Sequence, residues 1–201
     1  MSEIYFYKWV VTSQVFFRSK YCYALVNVRP LVPGHVLVVP LRTSVLRLAD
    51  LSWEESTDYM NTIQLIHKFI QQTYKADALN IAIQDGPESG QSVPHLHTHI
   101  IPRHKDDGWG DSIYKALEQS DLEEEYKEFF ARKKAYRDHH GAELEQKDAD
   151  RVDRSAEDMA QETESLRRQL SAYIADIDRQ RREDAVATHF DFERVLHDKS
   201  Y

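Results

Sequence analysis

The sequence predicts an α+β fold: an antiparallel sheet, one long amphipathic helix, and a charged helical C-terminal extension. Two observations carry this. Strand-length apolar runs follow one another closely before residue 42, and two more follow a single helical stretch, so an order of three strands, a helix and two strands is read. The composition also changes near residue 110. All six prolines and all three tryptophans lie before residue 111, as do five of six glycines, whereas the net charge of −8 lies after it.

The elements follow in order. Residues 14–18 and 21–28 (QVFFR, YCYALVNV) read as two strands joined near Ser19 and Lys20. A turn over Pro30–Gly34 leads to a third strand, 35–41, whose Pro40 suggests a strand end or an edge. Ser52 and Glu55 form an S-x-x-E capping box that opens a helix over 52–75, with Tyr59, Ile63, Ile66, Ile70 and Tyr74 on one face. Residues 79–84 form a fourth strand, 85–94 a polar loop with two glycines, and 95–101 a fifth strand between Pro94 and Pro102. A short helix is expected over 111–119 with Asp111 as its cap. A charged stretch over 121–154 reads as a solvated helix or linker. A last helix over 155–179 starts at Ser155 and Asp158 and carries Met159, Thr163, Leu166, Leu170, Tyr173 and Ile177.

Composition excludes several classes. A chain of 201 residues with 41% hydrophobic residues can bury a core. A single cysteine, Cys22, cannot build a disulfide scaffold or a cysteine zinc site, and it fits a reducing compartment. No apolar run is long enough to span a membrane, and the N-terminus lacks a signal-peptide pattern, so a cytoplasmic protein is expected. At 23.6 kDa it is small enough to reach the nucleus as well. Residues 1–110 hold 10 Lys and Arg against 10 Asp and Glu, and 111–201 hold 16 against 24. That balance argues against nucleic acid as a partner, so an anionic ligand would be held by a few local donors.

The segment His95-Leu96-His97-Thr98-His99 carries the chemistry. On a strand, alternate side chains share one face about 6.6 Å apart, which would align three imidazoles with His97 central. A lone buried histidine is ordinarily structural. Three in strict alternation after a glycine-containing loop point to function. One reading is a metal site, since neutral imidazole is a common ligand; its nearest carboxylates, Asp85 and Glu88, lie in the preceding loop, where Asp85 beside Gly86 suits a turn. The other is nucleophilic attack on phosphorus by an imidazole of ordinary pKa about 6.5. The oxygens would then be held by the amides of Gly90, Gln91, Ser92 and Val93, the side chains of Gln84, Gln91 and Ser92, and the flanking histidines.

The run His95–Ile101 resembles the histidine-triad signature of alternating histidine and hydrophobic residues, with Thr98 departing at a hydrophobic position. Phe16, Ala24–Asn27, Pro30, Val32–Val38, Gln84–Glu88, Gly90–Val93 and Asp111–Tyr114 are similar to the fragile-histidine-triad branch, especially its fungal members, over residues 4–118 and weakly at 159–173. The resemblance implies a five-stranded antiparallel sheet with two main helices, paired with a second copy as a homodimer. It implies a catalytic domain over 1–120; the charged segment 121–154 is not part of the branch's pattern, and the C-terminal helix and tail read from the sequence follow over 155–201. It also implies hydrolysis of dinucleoside triphosphates through a covalent nucleotidyl-histidine, with Mg²⁺ or Mn²⁺ accompanying the polyphosphate and no resident metal. His97 matches the nucleophile, His99 the contact to phosphate and scissile oxygen, His95 and His35 supporting histidines, Asn27 a sugar contact, and Gln84 with Gly90–Val93 the phosphate loop. Without the resemblance, His35 reads as a turn-exit histidine and Tyr114 as an ordinary helix tyrosine; neither resemblance nor spacing gives Tyr114 a catalytic part.

Three alternatives stand beside this reading. A nucleoside phosphoramidase shares the triad, but the Gln84–Glu88 and Asp111–Tyr114 segments favour the dinucleotide hydrolase. In transferases of the superfamily a glutamine stands at the His99 position, so His99 favours water as acceptor. A dinucleotide-binding signalling protein with incidental turnover would use the same site.

Overall fold

The β-branched and aromatic runs form the strands, and the proline and glycine clusters break them. The computed structural model describes residues 2–139 and 154–197. A two-stranded hairpin, β1 (Tyr5–Phe6) and β2 (Trp9–Val10), precedes a five-stranded sheet of β3 (Val15–Arg18), β4 (Cys22–Val26), β5 (Val36–Pro40), β6 (Ala78–Ile83) and β7 (Thr98–Arg103). The sheet order is β3-β4-β5-β7-β6, antiparallel throughout. Four α-helices complete the described residues: α1 (Trp53–Thr73), α2 (Ser112–Glu118), α3 (Leu122–His139) and α4 (Ala156–His197).

The core explains the patterning. β4 and β5 are buried along their whole length, so both read as continuous apolar runs. α1 is capped by reciprocal Ser52 and Glu55 bonds and buries Tyr59, Ile63, Ile66 and Ile70 against β4, β5 and β7. α4 opens on the paired Ser155 and Asp158 and packs Met159, Leu166 and Leu170 beside β3 and β4. α2 closes a smaller cluster of Ile101, Ile113 and Leu117. Its N-cap, Asp111, makes no side-chain capping bond. Among the described residues no helix is long and apolar enough to cross a membrane.

Four local differences have physical causes. The strand expected over 95–101 begins only at Thr98, because the pairing with β5 ends at Val38↔Thr98. Before it, Pro94 has no N–H to offer a ladder, His95 N–H turns back to Val93 O, and Leu96 N–H goes to Val45 O. The N-terminal hairpin carries no glycine or asparagine signal, since its turn uses Tyr7 at φ 54°. Residues 122–139 are helical, and their first turns bury Leu122 and Tyr126 against Phe6 and Trp9. α4 continues past 179 to His197, over a stretch that holds neither proline nor glycine. Of the segments read in the sequence, 140–153 of the linker and 198–201 of the tail lie outside the described residues.

Candidate active site

Alternation along β7 sorts its side chains onto two faces. Thr98 and Ile100 face α1, where Tyr59 Oη lies 2.6 Å from Thr98 Oγ1 and donates to Val38 O at 3.2 Å. That partner is how a hydroxyl is tolerated at a position where a hydrophobic residue is expected. His99 is on the other face, beside His35. His97 precedes the strand, and its ring centroid is 5.1 Å from that of His99. His95 and His97 both pack against Phe6, at 5.7 and 5.4 Å between centroids. The four histidines are therefore gathered, although only His99 stands on a strand.

The hydrogen bonds assign each tautomer. A carbonyl can only accept, so His97 Nδ1–H donates to His95 O at 2.7 Å, and His97 Nε2 keeps its lone pair. Tyr7 N–H donates to His95 Nδ1 at 3.0 Å, which puts the His95 proton on Nε2. Leu31 N–H donates to His35 Nδ1 at 3.1 Å, so His35 Nε2–H donates to His99 Nδ1 at 2.9 Å. His99 in turn carries its proton on Nε2. Asn27 Nδ2 approaches His35 Nε2 at 3.3 Å, a contact between two N–H groups in this tautomer, while Asn27 Oδ1 accepts from Arg29 N–H. The Nε2 atoms of His95, His97 and His99 are all buried and without a hydrogen-bond partner among the described residues. His97 therefore offers a lone pair and His99 an N–H, while the His95 N–H lies toward the carbonyls of Pro40 and Arg42.

Burial keeps these rings uncharged. It lowers His95 to about 4, aided by the neighbouring His97 and opposed by the carbonyls of Pro40 and Arg42. Burial also lowers His97, opposed by the His95 carbonyl. It pushes His99 well below 6.5, reinforced by His97 and His35. A central imidazole that is neutral, oriented by its own backbone and flanked by donors is suited to attack an electrophile bearing oxygens.

The loop residues separate into two groups. Gly90 adopts φ 84°, and Gln84 Nε2 lies where a Cβ on Gly90 would come within 2.8 Å. Gly90 N–H and Gln91 N–H are used inside the turn, on Pro87 O and Gly86 O, so of the four candidate amides only those of Ser92 and Val93 remain for a ligand. Gln91 Nε2 donates to Leu46 O and Ser92 Oγ accepts from Leu122 N–H, which anchors the loop on both sides. Asp85 accepts from Leu48 N–H at 2.8 Å, a structural role. Tyr114 is half exposed and accepts from Asn80 Nδ2 at 2.8 Å. Among the described residues no three His, Cys, Asp or Glu side chains gather as a metal site. The backbone donors of Tyr7 and Leu31 were not legible in the sequence, because any residue supplies an N–H.

Residues 8–106 match the HIT domain. The chain is 66% identical over 118 residues to bis(5′-adenosyl)-triphosphatase of Saccharomyces cerevisiae, covering 59% of this chain and 57% of the yeast protein. It is 40% identical over 158 residues to a bifunctional bis(5′-adenosyl)-triphosphatase/adenylylsulfatase FHIT of Arabidopsis thaliana, covering 77% and 76%. The crystal structure of Plasmodium falciparum diadenosine triphosphate hydrolase, in complex with cyclomarin A, superposes with a TM-score of 0.60 at 25% identity, covering 88% of this chain and 86% of that one. The match thus spans somewhat over half the length of the yeast relatives.

Proposed function

The chain belongs to the HIT-domain family, and from that membership we propose that it hydrolyses dinucleoside polyphosphates, cleaving diadenosine triphosphate to AMP and ADP. The observation that carries the reading is the His97 Nδ1–H bond to His95 O, which leaves Nε2 as the one lone pair among three partnerless Nε2 atoms. His97 Nε2 attacks the α-phosphorus. A nitrogen–phosphorus bond forms, the bond from the α-phosphorus to the bridging oxygen breaks, and ADP leaves with the bonding electrons on that oxygen, which accepts a hydrogen bond from His99 Nε2–H while His99 keeps its proton. Water then attacks the phosphorus, the nitrogen–phosphorus bond breaks, and AMP departs with His97 restored. Two displacements give net retention at phosphorus.

His95, with its Nε2–H, holds the nucleophile's surroundings, and His35 fixes the proton on His99. Asn27 faces the sugar, and Gln84 with Ser92 and Val93 holds phosphate oxygens. The polyphosphate enters as its Mg²⁺ or Mn²⁺ complex, the cation being part of the substrate. The protein partner is a second copy of the chain. β6, an edge strand with Ile81 47% exposed, supports pairing there.

Product analysis with diadenosine tri- and tetraphosphate side by side tests the reading. AMP with ADP from the triphosphate is expected at a rate above that for the tetraphosphate; no AMP from either contradicts it. A phosphoramidase would instead release ammonia from adenosine phosphoramidate faster than it opens either dinucleotide.

A further inference from the structure

The segment 27–35 carries two site residues, Asn27 and His35, yet the β4–β5 ladder stops at Val26↔Val36 and leaves the turn between them outside the sheet. Contacts from outside the sheet hold both ends of that turn. At one end, Asn27 O accepts from Arg154 Nη1 at 3.3 Å. At the other, the ring of Tyr74 lies so close to Gly34 that a Cβ there would sit 2.6 Å from Tyr74 Cδ2. Both holding groups meet at one carboxylate. Arg154 is ion-paired with Glu162, and Tyr74 Oη donates to Glu162 Oε1 at 3.0 Å. The Arg154 and Glu162 side chains are 17% and 21% exposed, so the pair is largely shielded from water.

We propose that Arg154, braced by Glu162, is a positioning residue that sets the affinity for the ribose of the bound nucleoside by fixing the backbone of Asn27. The proposal rests on the reading of Asn27 as the sugar contact. α4 docks through Met159, Leu166 and Leu170, which lie in the core and do not need Arg154. Loss of the guanidinium therefore frees Asn27 O while α4 stays in place. His95 and His97 are held by bonds from outside the turn, from Tyr7 and the His95 carbonyl, and the Gly34 end beside His35 keeps its packing on Tyr74, so the chemical step keeps its geometry. Arg154 presents separate nitrogens to its two partners, and a lysine ammonium cannot span both in the same fork.

The test uses the full chain with Arg154→Lys, Arg154→Gln and Glu162→Gln, each checked for an unchanged circular-dichroism spectrum. For diadenosine triphosphate, Arg154→Gln is expected to raise KM about five- to tenfold, equivalent to roughly a kilocalorie per mole, with kcat within about twofold. Arg154→Lys and Glu162→Gln are expected to fall between that variant and the parent. With an analogue lacking the ribose hydroxyls, the KM difference between variant and parent should vanish. An unchanged KM, or an equal rise with both substrates, overturns the proposal. Calorimetric binding of AMP and of its dideoxy analogue to the same variants decides the point independently of turnover. If the parent protein hydrolyses no dinucleotide but Arg154→Gln selectively weakens AMP, the clamp stands and the proposed activity fails.

Discussion

His35 Nε2 lies 2.9 Å from His99 Nδ1, and because Leu31 N–H already occupies His35 Nδ1, the direction of that bond is fixed. The two rings act as one unit that delivers an N–H at His99 Nε2, a buried atom without a hydrogen-bond partner among the described residues. His35 thereby decides whether His99 Nε2 is a donor or an acceptor.

Replacing His35 by leucine removes that control. His35→Leu is expected to lower kcat about 10²-fold for diadenosine triphosphate, the lower end of the range for losing one hydrogen-bond donor at a developing oxyanion. His35→Gln, whose amide can still donate to His99 Nδ1, should lose less. A nitrophenolate leaving group spreads its charge over the ring and leans less on that hydrogen bond, so an adenosine phosphodiester that carries it should show little loss with either variant. Equal losses for both substrates would place the effect on packing instead.

The histidines also give the protein a pH signature. Folding lowers His95 to about 4, lowers His97, and holds His99 well below the ordinary 6.5. Between those values the unfolded chain binds more protons than the native one. Their contribution to stability is full above about pH 6.5, drains as pH falls toward 4, and changes no further below the folded values. The urea midpoint should fall across that window. The window lies above the range in which Glu55, held at about 2 chiefly by its bond from Arg42, takes up its proton. The acidic limb of kcat/KM should likewise lie below pH 6.5; a limb at or above 6.5 would contradict a neutral, buried nucleophile.

Tyr59 and Thr98 form a buried polar pair behind the site. Tyr59→Phe strands the threonine hydroxyl and is expected to cost about 1–3 kcal/mol in denaturant unfolding. In Tyr59→Phe with Thr98→Val, both polar groups are gone and most of that loss should return. Additive losses in the double-mutant cycle would show that the pair is not coupled.

The limits of legibility follow from these same residues. Where a side chain reports its own environment, as in the face from Tyr59 to Ile70 or the Ser52 and Glu55 cap, residue type and spacing suffice. The histidine cluster was legible for the same reason. Its strand was not, because Pro94 and the side-chain bond of His97 take the backbone at 95–97 out of the ladder. Tautomers depend on amides of Tyr7 and Leu31 brought in from elsewhere in the chain, and amides carry no residue signature. The bond from Arg154 to Asn27 spans 127 positions, beyond any local pattern.

The central claim is that His97 Nε2 becomes bonded to phosphorus in every turnover. Rapid alkaline quench of the working protein with dinucleotide radiolabelled at the α-phosphorus tests it most directly. The account predicts an acid-labile, base-stable label on the peptide containing His97, absent from His97→Asn although that variant still binds substrate. Active protein that never carries label, at quench times shorter than one turnover, would contradict it.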